Sequence, residues 1–169
     1  MLSKVVFQLM TAGVIPSVIP FFTQRCKLFV EYPGYDVYPA LHVPHSITAL
    51  PPHVWHDYNH SSVFTLAVVV VDISLRFRNS CRQQYLMWLV ASIPGNNLAQ
   101  GRELAEYQPP SSFPEDEEHN RHCVFLLYRD APDSQHDPVP SDRSAFDVNA
   151  YTLKAGLTLI GANYFIPQH

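Results

Sequence analysis

The sequence predicts a mostly β protein with one or two peripheral helices. Three observations carry this. Residues 63–73 and 85–93 are the longest apolar runs in the chain, and such runs suit strands buried on both faces. Val68-Val69-Val70-Val71 places four β-branched residues in succession, which favours strand over helix. Fifteen prolines and only six glycines in 169 residues favour many loops over long helices.

Taken in order, residues 3–12 read as a short helix. Ser3 is a natural N-cap, Val6, Leu9 and Met10 fall at helical spacing, and Gly13 suits the C′ position. Pro16 and Pro20 then hold an extended segment closing over the body. Residues 27–32 read as a strand, with Leu28 and Val30 on one face and Phe29 on the other. Pro33-Gly34-Tyr35-Asp36 is a turn signal. Residues 37–62 are irregular apart from a short strand at Val54-Trp55, with Trp55 expected as a core anchor.

The long strand 63–73 is followed by a polar loop, 74–84, containing Arg76, Arg78 and Arg82. The strand 85–93 stops at Pro94-Gly95-Asn96, where proline removes a ladder donor and glycine permits positive φ. A short strand at 102–107, a loop at 109–122 holding Glu115-Asp116-Glu117-Glu118, and a third central strand at 123–128 come next. A polar excursion, 130–143, leads to a helix at 144–153 with Phe146, Ala150 and Leu153 toward the body. Residues 156–165 return as an apolar extended segment. Residues 1–169 are expected to form one domain without internal repeats.

Composition narrows the function classes. Hydrophobic residues make up 47% and charged residues 15%, which is a globular composition. The net charge of −4 gives no global attraction to nucleic acid or anionic membrane. There is no G-x-x-x-x-G-K motif, no aromatic-interleaved basic face and no GxSxG elbow. Three cysteines without CxxC spacing argue against a disulfide framework and favour a reducing compartment. The apolar start, residues 5–22, is broken by Pro16 and Pro20 and lacks an A-x-A-like site, so a soluble, cytoplasmic protein without a transmembrane segment is expected.

Nine histidines give three HxxH spacings, His42/His45, His53/His56 and His119/His122, and an i,i+4 pair, His56/His60. A zinc site needs three or four converging ligands. These pairs lie in loops rather than on a helix face, so surface histidines are the expectation and a His-rich metal site the alternative. Cys123 follows His122, but adjacent strand residues face opposite sides, so the two would not act together.

Several segments in one order resemble the phosphatidylethanolamine-binding family. They are Gly13-Val14-Ile15-Pro16-Ser17-Val18-Ile19-Pro20, Phe64-Thr65-Leu66, residues 85–96 (YLMWLVASIPGN), Gly101-Arg102-Glu103-Leu104-Ala105-Glu106-Tyr107 with Pro109-Pro110, Val124-Phe125-Leu126-Leu127-Tyr128, and Gly161-Ala162-Asn163-Tyr164-Phe165. The resemblance implies a β-sandwich with peripheral helices and a small anion pocket at one end that accepts phosphoryl head groups. That family's signatures are a DPDxPSR segment, a histidine in a W/Y-x-H-W/F strand and a GxHR segment.

Here those signatures are eroded. In Val70-Val71-Asp72-Ile73-Ser74-Leu75-Arg76 only Asp72 and Arg76 remain. Met87 replaces the strand histidine and cannot donate a hydrogen bond to phosphate. GxHR becomes Glu118-His119-Asn120-Arg121-His122. Counting from Tyr107 puts His119 at the family histidine, and counting back from Val124 puts Arg121 there. The resemblance therefore implies a ligand site of Asp72, Tyr85, Met87, Pro109, Pro110 and one of His119, Arg121 or His122. It implies a binding or regulatory protein rather than an enzyme. The partner would be a small anionic or phosphorylated ligand, a phospholipid head group, or a protein such as a kinase or protease, with no cofactor. The alternative within the family is the degenerate module of a mitochondrial large-subunit ribosomal protein. Its Pro-Pro-x-x-Pro loop resembles Pro109-Pro110-Ser111-Ser112-Phe113-Pro114, and a mitochondrial, ribosomal setting would follow.

Overall fold

In the computed structural model, residues 2–73, 83–114 and 121–169 are described. The elements are α1 (Lys4–Thr11), α2 (Val14–Ser17), β1 (Leu28–Tyr32), β2 (Tyr35–Asp36), β3 (Leu41–Pro44), β4 (His53–His56), β5 (Val63–Asp72), β6 (Gln84–Pro94), β7 (Arg102–Ala105), β8 (Arg121–Arg129), α3 (Val148–Ala155) and β9 (Thr158–Gln168). A three-stranded sheet, β2-β1-β4, faces a six-stranded sheet, β3-β9-β8-β5-β6-β7. All pairings are antiparallel except β3 with β9. The expected mostly β, sandwich-like fold is the observed one.

The apolar runs occupy the middle of the larger sheet, where both faces are covered. One face of β5, β6 and β8 (Val68, Val70, Met87, Cys123, Phe125) packs against the smaller sheet through Leu28, Val30 and Val54. The other face (Val69, Val71, Leu86, Val124, Leu126) packs against α1 and α3 through Val5, Leu9 and Val148. Alternating side chains thus feed two cores. The Asn163 amide ties the layers together by donating to the carbonyls of Leu28 and Val37, both at 3.0 Å.

Ser3 caps α1 as expected, its Oγ accepting from Val6 N–H at 3.3 Å. Val5, Val6 and Leu9 are buried, whereas Met10 faces outward beside Phe7. Five local readings are corrected. Residues 14–17, expected as part of an extended segment, form the single turn α2, in which only Ile15 keeps extended angles. Tyr35-Asp36 is not only turn: it pairs with Glu31-Tyr32 as β2. Within 37–62, residues 41–44 form β3 by parallel pairing with Leu41 opposite Phe165. Trp55 is a half-buried residue on the outer face of the small sheet, stacked on Phe29 at 5.3 Å; Val54 and His56 take the inner positions. The last helix starts four residues later than expected, because Asp147 rather than the Ser144 region caps it (Ala150 N–H to Asp147 Oδ1, 3.0 Å). Its buried residues are therefore Val148, Thr152 and Ala155, while Leu153 is exposed. Phe146 is buried from the chain just before the helix.

Among the described residues no helix is long and apolar enough to cross a membrane. Arg76, Arg78, Arg82, Cys81, the acidic run 115–118 and His119 lie outside the described residues.

Candidate functional site

Three neighbouring strands bring most of the expected site residues together. Asp72 ends β5 and stands opposite Arg121, which opens β8. Tyr85 on β6 stands opposite Val70, two residues before Asp72. Alternation then turns Asp72, Tyr85, Met87, Arg121 and Cys123 to the same face, the one covered by the smaller sheet.

Arg121 is only 3% exposed. Its guanidinium carbon lies 5.5 Å from the Tyr85 ring centroid, a cation–π contact. Nη1 donates to the Phe113 carbonyl at 3.1 Å, and the Phe113 ring stacks on Tyr85 at 5.3 Å and 28°. Nε of Arg121 is buried and has no hydrogen-bond partner among the described residues. The guanidinium brings a positive charge with part of its donor fork unused, and an unmet buried N–H is costly.

The floor beneath it is apolar. Met87 and Cys123 are fully buried. The chain after β7 runs alongside, with Gln108 N–H donating to the Met87 carbonyl at 3.0 Å. Pro110 is buried and starts a single 3-10 turn, Pro110–Ser112, with Pro109 half-buried just before it. Behind the floor lies a relay of hydroxyls. Tyr107 donates to the Thr48 carbonyl at 2.6 Å, so Tyr32, whose hydroxyl is 2.8 Å from that of Tyr107, is the donor between the two. Burial pushes both phenols above their ordinary range.

His122 does not join this group. It points to the opposite face of the sheet and stacks on the Tyr164 ring at 4.9 Å and 19°. Its place in the expected ligand set is corrected by the same alternation that separates it from Cys123. Sequence reasoning missed Phe113, Tyr32 and Tyr107. A lone aromatic in a polar, proline-bounded loop was the available signal for Phe113. Nothing local marks the tyrosine relay, whose members are far apart in sequence.

The histidine spacings resolve into separate settings. His56 is buried with both ring nitrogens used: Nδ1 accepts from Tyr58 N–H at 3.1 Å, so Nε2 carries the proton and donates to the Gly95 carbonyl at 2.9 Å. Desolvation lowers its pKa. His53 lies against Trp55, and His45 against His169. His136 contacts Asp130 at 3.0 Å. Among the described residues no three His, Cys, Asp or Glu side chains cluster so as to hold a metal ion. Cys26 and Cys123 are buried, and burial pushes the Cys26 thiol up to about 12.

No family model matches the chain. Over 171 aligned residues it is 25% identical to the protein BROTHER of FT and TFL 1 of Arabidopsis thaliana, covering 99% of this chain and 94% of that one. Its structure is similar to that of carboxypeptidase Y inhibitor in complex with the cognate proteinase, with a TM-score of 0.80 and 18% identity over 96% of this chain and 94% of the other. It is also similar to a phosphatidylethanolamine-binding protein from Plasmodium vivax, with a TM-score of 0.74 and 15% identity over 98% of each chain. At these identities the solved structures establish the fold.

Proposed function

We propose that this chain, which has the fold of the phosphatidylethanolamine-binding proteins, is a non-catalytic binding protein. It holds a small anionic or phosphorylated group at the Arg121 end of its larger sheet. The observation that carries the reading is the buried Arg121 guanidinium, oriented by Tyr85 and the Phe113 carbonyl, with Nε–H unused. A phosphate or carboxylate oxygen is the acceptor that matches such a donor. Met87 and Cys123 supply an apolar floor that excludes water and strengthens the attraction.

The test is a thermal-shift titration with inorganic phosphate and phosphorylethanolamine, with ethanolamine as the control that lacks the phosphate, repeated on Arg121→Met. Saturable stabilisation by the two phosphates that disappears in the variant supports the site. No shift at millimolar phosphate or phosphorylethanolamine overturns it.

A second reading rests on the likeness to carboxypeptidase Y inhibitor, a protein whose structure was solved bound to a proteinase. Here the chain is a protein-docking regulator and the Arg121 site is structural. Adding it to carboxypeptidase Y and following peptide hydrolysis separates the two. Stoichiometric inhibition favours this reading, and unchanged hydrolysis removes it.

A further inference from the structure

Away from Arg121, a groove of about 570 Å³ opens between the two sheets. Its walls include Pro52 just before β4, Val54 on β4, Trp88 and Val90 of β6, Leu98, and Glu103 of β7. Both β4 and β7 are edge strands, so the groove runs along two open sheet edges.

The edge of β4 is already completed at one point, by a side chain imitating a peptide. Asn96 Oδ1 accepts the His56 N–H and its Nδ2 donates to the His56 carbonyl, both at 2.9 Å. Outward-facing main-chain pairs recur every second residue along a strand. Val54 therefore also turns its N–H and C=O away from β1. Its register partner Val30 agrees: that carbonyl points to the other side and accepts from Val37 N–H at 2.9 Å. No described residue bonds the outward pair of Val54, and this pair borders the groove.

Charge defines the occupant. Glu103 supplies the only permanent charge among the groove residues, with His53 the other titratable group. Trp88 Nε1–H donates to Glu103 Oε2 at 2.9 Å, which orients the carboxylate and leaves its second oxygen available. Arg143 feels the Glu103 charge at longer range, but its guanidinium hydrogen bonds go to the carbonyls of Leu86 (3.0 Å) and Glu106 (3.1 Å). Arg102 is the neighbour of Glu103 on β7, and alternation sends it to the opposite face, toward Tyr151.

We propose that this groove is a docking site for an extended segment of a partner protein bearing a lysine or arginine, added as a strand to the β4 edge. The residue opposite Val54 exchanges both main-chain hydrogen bonds with it. Directly opposed residues share a face. Val54 points into the core between the sheets, so the opposing side chain enters the groove. Its aliphatic stem lies on Trp88 and Val90, and its cation reaches Glu103. Backbone pairing supplies the affinity and the groove supplies the choice of side chain. This inference does not rest on the Arg121 site.

The probe is the peptide acetyl-Val-Lys-Val-amide, titrated into the isotopically labelled protein by NMR, with acetyl-Val-Glu-Val-amide as the charge control. Saturable shifts of the Val54 amide and the Trp88 indole N–H are expected with the lysine peptide and not with the glutamate peptide. Glu103→Gln keeps the acceptor for Trp88 and is expected to weaken the lysine peptide about two- to fivefold, as for an exposed ion pair. Methylating the lysine main-chain nitrogen removes the donor to the Val54 carbonyl and is expected to abolish the shifts. The proposal is overturned by equal binding of both peptides, by an N-methyl peptide that binds as well, or by no groove shift at millimolar peptide.

Discussion

The guanidinium carbon of Arg121 stands 5.5 Å from the centroid of the Tyr85 ring, joining two strands that are not neighbours in the sheet, β8 and β6, across β5. The contact places a permanent charge where the Met87 thioether and the Cys123 thiol offer none. It also makes Arg121 the residue on which the proposed anion binding depends.

Arg121→Met is expected to fold, with stability changed by less than about 2 kcal/mol. A well-packed apolar side chain removes the unmet Nε–H along with the lost polar contacts. Urea denaturation checks the fold. At phosphate tenfold above Kd the wild-type protein is expected to gain about 1.4 kcal/mol, and Arg121→Met to gain nothing. Arg121→Lys keeps the charge but loses the planar fork, so an intermediate response is expected.

The hydroxyl relay predicts an asymmetry. Tyr107→Phe strands both the Tyr32 hydroxyl and the Thr48 carbonyl, and is expected to cost about 2–4 kcal/mol. Tyr32→Phe leaves the bond from Tyr107 to Thr48 intact and is expected to cost about 1 kcal/mol. Equal costs in urea denaturation would show that the proton order is not the one assigned.

His56 makes stability depend on pH. Its pKa in the folded protein lies below the ordinary value of 6.5 because burial penalises the charged ring. Between the two values the unfolded chain binds more protons than the folded one, so stability rises with pH there. The contribution is fully present above about pH 6.5 and is lost as pH falls through the folded pKa. In a pH series of urea titrations, His56→Ala is expected to be less stable at pH 7 and to show a flatter slope below pH 6.5 than the wild type. Parallel slopes would place the proton uptake elsewhere.

Gly161 on β9 faces the chain just before β1 at close range. A Cβ there would lie 2.8 Å from Cys26 Sγ and 3.3 Å from the Cys26 carbonyl oxygen. Gly161→Ala is expected to cost about 1–3 kcal/mol. Adding Cys26→Ala removes the nearer clash, so the double variant should be more stable than the sum of the single costs allows. Simple additivity would mean that the strands part without strain.

Much of this fold is legible in the sequence. Four consecutive valines, an apolar strand closed by Pro94-Gly95-Asn96, and Ser3 before the first helical turn state local preferences that the packing does not contradict. Alternation alone separated His122 from Cys123. What escaped was non-local. β3 exists through its parallel pairing to β9, more than a hundred residues away, and Leu41-His42-Val43-Pro44 carries no pattern of its own. Trp55 is expected as a core anchor, yet the small sheet buries Val54 and His56, and parity leaves the ring outside. The last helix shifted because Asp147 competes successfully as the cap.

The site divides the same way. The sequence by itself determined which residue types are present: an aspartate near the end of an apolar strand, a methionine where a donor would serve phosphate, and an arginine just before the next central strand. Only the tertiary structure decided which of them meet. Register set Arg121 against Asp72, stacking set it over Tyr85, and the 3-10 turn brought in the Phe113 carbonyl. The physical reason is that side-chain identity and strand parity are properties of neighbours in sequence, whereas register and burial are settled by contacts across the whole sheet.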